Sequence, residues 1–123
     1  KPKQNLQELL HSSERVQIAI GYIRRKIDRR ITVADLARAC SVSPPALFRY
    51  FSDTLKTTPQ KFIMQLKMEH AAALLRSSEM SLADIAEATG FANQFHFSRC
   101  FKKCYGATPS SYRNSAIWDF SSY

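Results

Sequence analysis

A chain of 123 residues, 45% apolar and 23% charged, holds one ordinary domain or two very small ones, which excludes large enzyme architectures and a wholly disordered polypeptide. Eighteen Lys and Arg against ten Asp and Glu give a formal charge of +8, a balance that favours a polyanionic partner, nucleic acid first and an anionic membrane second. Cys40, Cys100 and Cys104 form an odd set without a CxxC spacing, and nothing resembles a secretory signal, so they read as reduced thiols of a cytoplasmic protein; no apolar stretch approaches the ~20 residues of a membrane span.

With 3 Gly, 5 Pro and no sustained apolar/polar alternation, helix is the expected state throughout and the fold class is all-α. Residues 1–11 read as a linker. Over 12–29, Val16, Ile20, Ile23 and Ile27 make one buried helical face, with Arg24, Arg25, Lys26, Arg29 and Arg30 at the end where the helix dipole favours cations. Thr32 is the N-cap of a short helix bearing Leu36, Ala37 and Cys40, with Asp35 as a capping-box variant. Ser43 caps the next, which opens on Pro44 and turns Leu47, Tyr50 and Phe51 inward. Two short helices separated by about three residues are a helix-turn-helix candidate, so 12–58 reads as a first subdomain.

Thr58-Pro59 opens a linking helix, 59–78 with its end, whose roughly 18 helical residues span about 27 Å and whose inner side carries Phe62, Ile63, Leu66, His70, Ala73 and Leu74. The pattern then starts again over 79–114. Ser81 caps, Leu82, Ile85 and Ala86 face inward, Gly90 turns the chain, Asn93 caps a helix bearing Phe97, Cys100 and Phe101, Gly106 stops it, and Thr108-Pro109 opens a last helix ending near Asn114. Residues 115–123 form a tail holding Trp118, Phe120 and Tyr123.

The recurrence is an internal repeat. Thr32 to Ala37 overlies Ser81 to Ala86 at an offset of 49; after one inserted residue in the second turn the offset becomes 50, pairing Leu47 with Phe97, Arg49 with Arg99, Phe51 with Phe101, Thr58-Pro59 with Thr108-Pro109 and Phe62 with Tyr112. If the linking helix holds the two units side by side, their second helices can face one side about 34 Å apart, one turn of B-DNA.

In its second half, Ile85-Ala86, Gly90-Phe91, Phe97, Arg99-Cys100-Phe101-Lys102-Lys103, Gly106, Thr108-Pro109 and Tyr112-Arg113 reproduce a signature in order and spacing, and on these residues the chain resembles the DNA-binding domain of the AraC/XylS family of bacterial transcription regulators. The resemblance covers roughly residues 12–114. It implies a seven-helix domain of two helix-turn-helix subdomains joined by a linking helix, binding adjacent major-groove segments of double-stranded promoter DNA. It also implies a sequence-specific regulator, most often an activator, a contact with RNA polymerase, and in many members a separate N-terminal effector or dimerisation domain, of which this chain would be the C-terminal companion.

Base readout needs polar side chains at the start of a recognition helix. In the second unit these are Asn93, Gln94, His96 and Arg99; Asn93 is alternatively only a cap, and Arg99 alternatively a phosphate or carboxylate partner. Phe95 either touches a thymine methyl or packs against the turn. The first unit presents Pro44, Pro45, Ala46 and Phe48 where readers are expected, leaving Arg49 for guanine or phosphate and Ala46 or Phe48 for apolar contact. Ser43, Lys56, Thr58, Lys61, Lys102, Lys103 and Arg113 are candidate backbone contacts.

His11, His70 and His96 lie on different helices, and Cys100 with Cys104 at i,i+4 among Phe neighbours reads as packing, so no metal or cofactor is expected. No Gly-rich phosphate loop, nucleophile elbow or paired-carboxylate cleft occurs, and no enzyme is expected. Two rivals stand beside the regulator: a helical module whose basic face binds an acidic protein or nucleic acid without reading sequence, and a DNA-repair methyltransferase, which needs a reactive, exposed cysteine.

Overall fold

A computed structural model describes the backbone of residues 6–121 and the side chains of residues 6–115. Among the described residues there are seven α-helices and no strand: α1 (Leu6–Arg25), α2 (Val33–Ala39), α3 (Pro44–Leu55), α4 (Pro59–Ser77), α5 (Leu82–Ala88), α6 (Gln94–Tyr105) and α7 (Pro109–Ser121). They form two compact units. One takes the residues up to Lys26 and Ile31–Met64; the other takes Ile27–Arg30 and everything from Gln65 on, so α4 serves both.

The caps expected from sequence set the helix starts. Thr32 Oγ1 accepts from the Asp35 amide at 3.0 Å and the Asp35 carboxylate accepts from the Thr32 amide at 3.3 Å, a reciprocal box. Ser43, Ser81 and Asn93 each accept from the amide three residues on. In the first unit α1 lies against α2 and α3, burying Val16, Ala19, Ile23, Leu36, Leu47 and Phe51, with Phe62 edge-on to Phe51 at 5.6 Å. In the second, Met68, Ala71, Ala72 and Leu75 of α4 are buried with Ile85, Ala86, Phe97 and Phe101, and Tyr112 of α7 meets the Phe101 ring edge-on at 5.3 Å. At about 1.5–3 kcal/mol for each large apolar side chain buried, these small cores hold the units together.

Three boundaries and one buried face differ from the sequence reading. Helix α1 starts at Leu6, inside the stretch expected to be a linker, because Leu6 to Leu10 are good helix formers without a breaker; their apolar members are exposed and so made no amphipathic signal. It ends at Arg25, and Ile27, expected on its face, lies in the connector assigned to the second unit. Helix α7 runs on to Ser121 through the expected tail; Tyr123 and residues 1–5 lie outside the described residues. On α4 the buried set is Ile63, Leu66, Lys67, Met68, Ala71, Ala72 and Leu75, with His70, Ala73 and Leu74 only half-buried, because a helix that serves one unit up to Met64 and another from Gln65 has no single inner face.

Candidate nucleic-acid interface

The turns that aim α3 and α6 are built alike. After α2 the Val42 amide donates to the Ala37 carbonyl at 3.0 Å and the Ser41 amide to Arg38; after α5 the Phe91 amide donates to Ala86 at 2.9 Å and the Gly90 amide to Glu87. Both turns need a left-handed residue, Ser41 at φ 57° and Gly90 at φ 77°. The spatial demand differs. A Cβ on Gly90 would stand 2.6 Å from the Arg29 carbonyl oxygen and 2.8 Å from Lys67 Nζ, so glycine is required there twice over, whereas Ser41 is exposed.

Each turn is also tied to the long helix before it by a cation the sequence reading did not single out. In the first unit Arg15 of α1 donates to the Cys40 carbonyl at 3.1 Å, and the Cys40 thiol donates back to the Arg15 carbonyl at 3.6 Å. In the second, Lys67 of α4, only 6% exposed, donates to the carbonyls of Ile27 (2.7 Å), Arg29 (2.7 Å) and Thr89 (2.9 Å). Cys40 and Thr89 are the C-cap residues of α2 and α5, so the same orphan carbonyl is satisfied in the same way in both copies. Burial pulls the Lys67 ammonium down to about 8, and the Asp28 charge only partly opposes it.

With the turns in place, the outward side of each second helix follows from its phase. At about 100° per residue, Arg99 points opposite the buried pair Phe97 and Phe101, and Phe95, His96, Lys102 and Lys103 lie within about 60° of it. All five are exposed, Phe95 at 68%. Gln94 lies toward the core edge and is half-buried, and Asn93 accepts the His96 amide at 2.9 Å as the N-cap while remaining exposed. His96 rests edge-on to Phe91 at 5.2 Å. In α3 the same phase selects Pro45, Ala46, Arg49, Ser52 and Asp53; the exposed Arg49 guanidinium lies 5.1 Å from the centre of the Tyr50 ring.

The expected backbone contacts of the first unit, apart from Ser43, converge. Phe48, Arg49, Ser52, Lys56, Thr58 and Lys61 line a cleft of about 480 Å³ where α3 ends and α4 begins. Thr58 caps α4 there, accepting the Lys61 amide at 3.2 Å, so two lysines, an arginine and a helix N-terminus share one concavity. Lys56 itself is left-handed at φ 56°, the place that Gly106 (φ 75°) takes after α6, and its ammonium donates to the Asp53 carbonyl. Ser43 is exposed at the start of α3 as its N-cap. In the second unit Lys102 and Lys103 are exposed on the last turns of α6.

Arg113 is placed differently from the rest. Its guanidinium donates to the Leu75 carbonyl at 3.0 Å and the Ser78 carbonyl at 3.2 Å, which makes it the cap of the C-terminal end of α4. The sequence reading had it against DNA because the partners, 35 and 38 residues away, carry no local mark.

Burial raises both the Cys40 and the Cys100 thiol above the ordinary value, Cys40 being 1% exposed, so neither is held as the thiolate that nucleophilic chemistry uses; Cys104, expected to pack with Cys100, is instead exposed on the last turn of α6. Among the described residues no group of three His, Cys, Asp or Glu could hold a metal ion, and no helix is long and apolar enough to cross a membrane.

A family model described as a helix-turn-helix domain matches residues 36–115. Among curated proteins, the raffinose operon transcriptional regulatory protein RafR of Pediococcus pentosaceus is 34% identical over 104 residues, 85% of this chain and 38% of that protein. The lactose operon transcription activator of Staphylococcus xylosus is 28% identical over 83% of this chain and 37% of its own length, so the chain spans less than two fifths of either relative. Among solved structures, a transcriptional regulator of Chromobacterium violaceum described as having an AraC-type DNA-binding domain is 27% identical with a TM-score of 0.80, covering 87% of this chain and 96% of that one.

Proposed function

The chain belongs to the AraC-type helix-turn-helix family of transcription regulators, and from that premise we propose that it reads promoter DNA with both units, placing α3 and α6 in adjacent major-groove segments. The observation that carries the reading is the duplicated cassette of cap, left-handed turn and cation tie, which aims a second helix in each unit. His96 and Arg99 are the polar base contacts of α6, with Gln94 at the edge and the exposed N-cap Asn93 adding one; Arg49 is the hydrogen-bonding reader of α3. Lys56, Thr58 and Lys61 hold one phosphate run in the cleft, Ser43 adds a contact at the start of α3, and Lys102 and Lys103 hold a second run. Arg113 is left out of that set, because its Nε and one terminal nitrogen already donate to carbonyls at the end of α4.

Activation rather than repression, a contact with RNA polymerase, a further effector or dimerisation domain and action in the cytoplasm are proposed with this reading, supported by the greater length of the relatives and by the activator among them. Burial of the Cys40 thiol and partial burial of Cys100 favour a binding module over a methyl-accepting repair enzyme, which leaves the exposed Cys104 as the cysteine a methyl-transfer assay with methylated DNA would test. Selection from a random duplex library at about 150 mM salt, followed by footprinting, tests the proposal. An asymmetric motif of about two helical turns, protected on one face, is expected; enrichment of no motif would contradict sequence reading and favour the nonspecific module.

A further inference from the structure

We propose that Phe95 is a specificity-determining residue that recognises the 5-methyl group of a thymine in the major groove; the inference rests on the DNA-reading role and extends it to a base chemistry. Phe95 is the second residue of α6, the part of a recognition helix that reaches base edges. It is 68% exposed, so of the two roles open to it, packing against the turn is removed. The turn is already filled by Phe91, whose ring meets Phe97 at 5.7 Å and His96 at 5.2 Å.

Helical phase gives the second support. Phe95, Arg99 and Lys102 follow one another at spacings of four and three residues along the side opposite Phe97 and Phe101. An aromatic ring at the tip of a stripe continued by cations is placed where those cations draw the DNA in. Gln94, the polar residue before it, is half-buried and faces the core edge, so of the first two residues of α6 the outward one is apolar. Thymine is the base whose major-groove edge carries a methyl group, and apolar contact with that methyl is how an apolar side chain distinguishes it. The equivalent position in α3 is Pro45, also exposed and apolar.

The test uses the duplex enriched by selection and a set of versions in which single thymines are replaced by deoxyuridine, which lacks only the methyl. For the unaltered protein, one substitution within the half contacted by α6 is expected to weaken binding about four-fold, the factor for burying one methyl group. Phe95→Ala should weaken binding to the parent duplex by at least that factor and remove the thymine–deoxyuridine difference at that position alone, with affinity for random duplex and the melting temperature unchanged. Phe95→Leu should restore part of the difference. A difference that survives in Phe95→Ala at every position, or a loss equal on parent and random duplexes, would overturn the assignment while leaving the DNA-reading role intact; failure to enrich any motif would overturn both.

Discussion

The two helix-turn-helix units share a backbone plan and differ in what they present on it. Along the outward side of α3 stand Pro45, Arg49, Ser52 and Asp53, one cation against one carboxylate; along α6 stand Phe95, Arg99, Lys102 and Lys103, three cations and an aromatic ring. The first unit places two further positive charges, Lys56 and Lys61, in the cleft beside the N-terminus of α4, off the outward side of α3. Duplication has therefore preserved the machinery that aims a helix, while the side chains carried on it have diverged. On the proposed reading the first copy offers one hydrogen-bonding reader, Arg49, beside its lysine cleft, and the second offers several readers beside its own lysines.

The largest effect expected from breaking this symmetry is at the turns. Gly90→Ala places a Cβ against the Arg29 carbonyl at a left-handed φ and should cost about 3–5 kcal/mol or prevent folding of the second unit. Ser41→Gly, at the matching but open turn, should stabilise by less than about 1 kcal/mol. Urea denaturation of both variants checks this, and equal effects would mean that the turns are not distinguished by space.

Next come the cation ties. Lys67→Met leaves three carbonyls without their donor and should cost about 2–4 kcal/mol, against about 1 kcal/mol for Arg15→Met, which orphans one. The difference is pH-dependent. The folded Lys67 value of about 8 lies below its ordinary 10.5, so between these the unfolded chain holds the proton more tightly and this group's contribution to stability rises with pH. Denaturation of the parent and Lys67→Met proteins at pH 7.5 and 9.5 should show the gap between them widening; a gap that narrows would reverse the sign assigned to Lys67.

A smaller effect belongs to the α6 stripe. The double variant Lys102→Ala, Lys103→Ala should lower the slope of log K against log salt by about 1.8 and weaken preferred and random duplexes alike. Ser52→Ala, on the matching stripe of α3, should leave the slope unchanged. Titrations between 50 and 200 mM salt decide it.

The smallest effect concerns the caps. Thr32 and Asp35 form a reciprocal box, and those hydrogen bonds, with help from Arg38, hold the Asp35 carboxyl below its ordinary value. Its contribution is present above pH 3.8 and lost as pH falls through the lower folded value, so Asp35→Asn should flatten the acid side of the stability curve, whereas an unchanged acid limb would remove Asp35 from the account.

Much of this was open to reading in the sequence because it is local. N-caps, Pro44 at the first helical position, Gly90 and Gly106, and the 3-and-4 spacing of Leu36 with Cys40, Leu47 with Tyr50 and Phe51, and Phe97 with Phe101 act within a turn or two of chain, and the repeat tied them into one plan. What escaped was set by partners far along the chain. Lys67 reaches carbonyls 22 to 40 residues away, and a lysine in a helix carries no sign that it will be buried. Arg113 was assigned to DNA because its motif is basic, yet Leu75 and Ser78 hold it. In sequence Gln94 reads as an exposed base contact, but the packing of α6 leaves it half-buried while Phe95 is exposed.

The division between the copies is tested most directly by repeating the random-duplex selection with Arg99→Ala and Arg49→Ala beside the parent chain. The account predicts that Arg99→Ala erases information across one half of the motif, while Arg49→Ala keeps that half intact and lowers affinity with a modest change in the other. Equal erasure by the two variants, or a greater loss with Arg49→Ala, would contradict the assignment of the larger share of reading to the second unit.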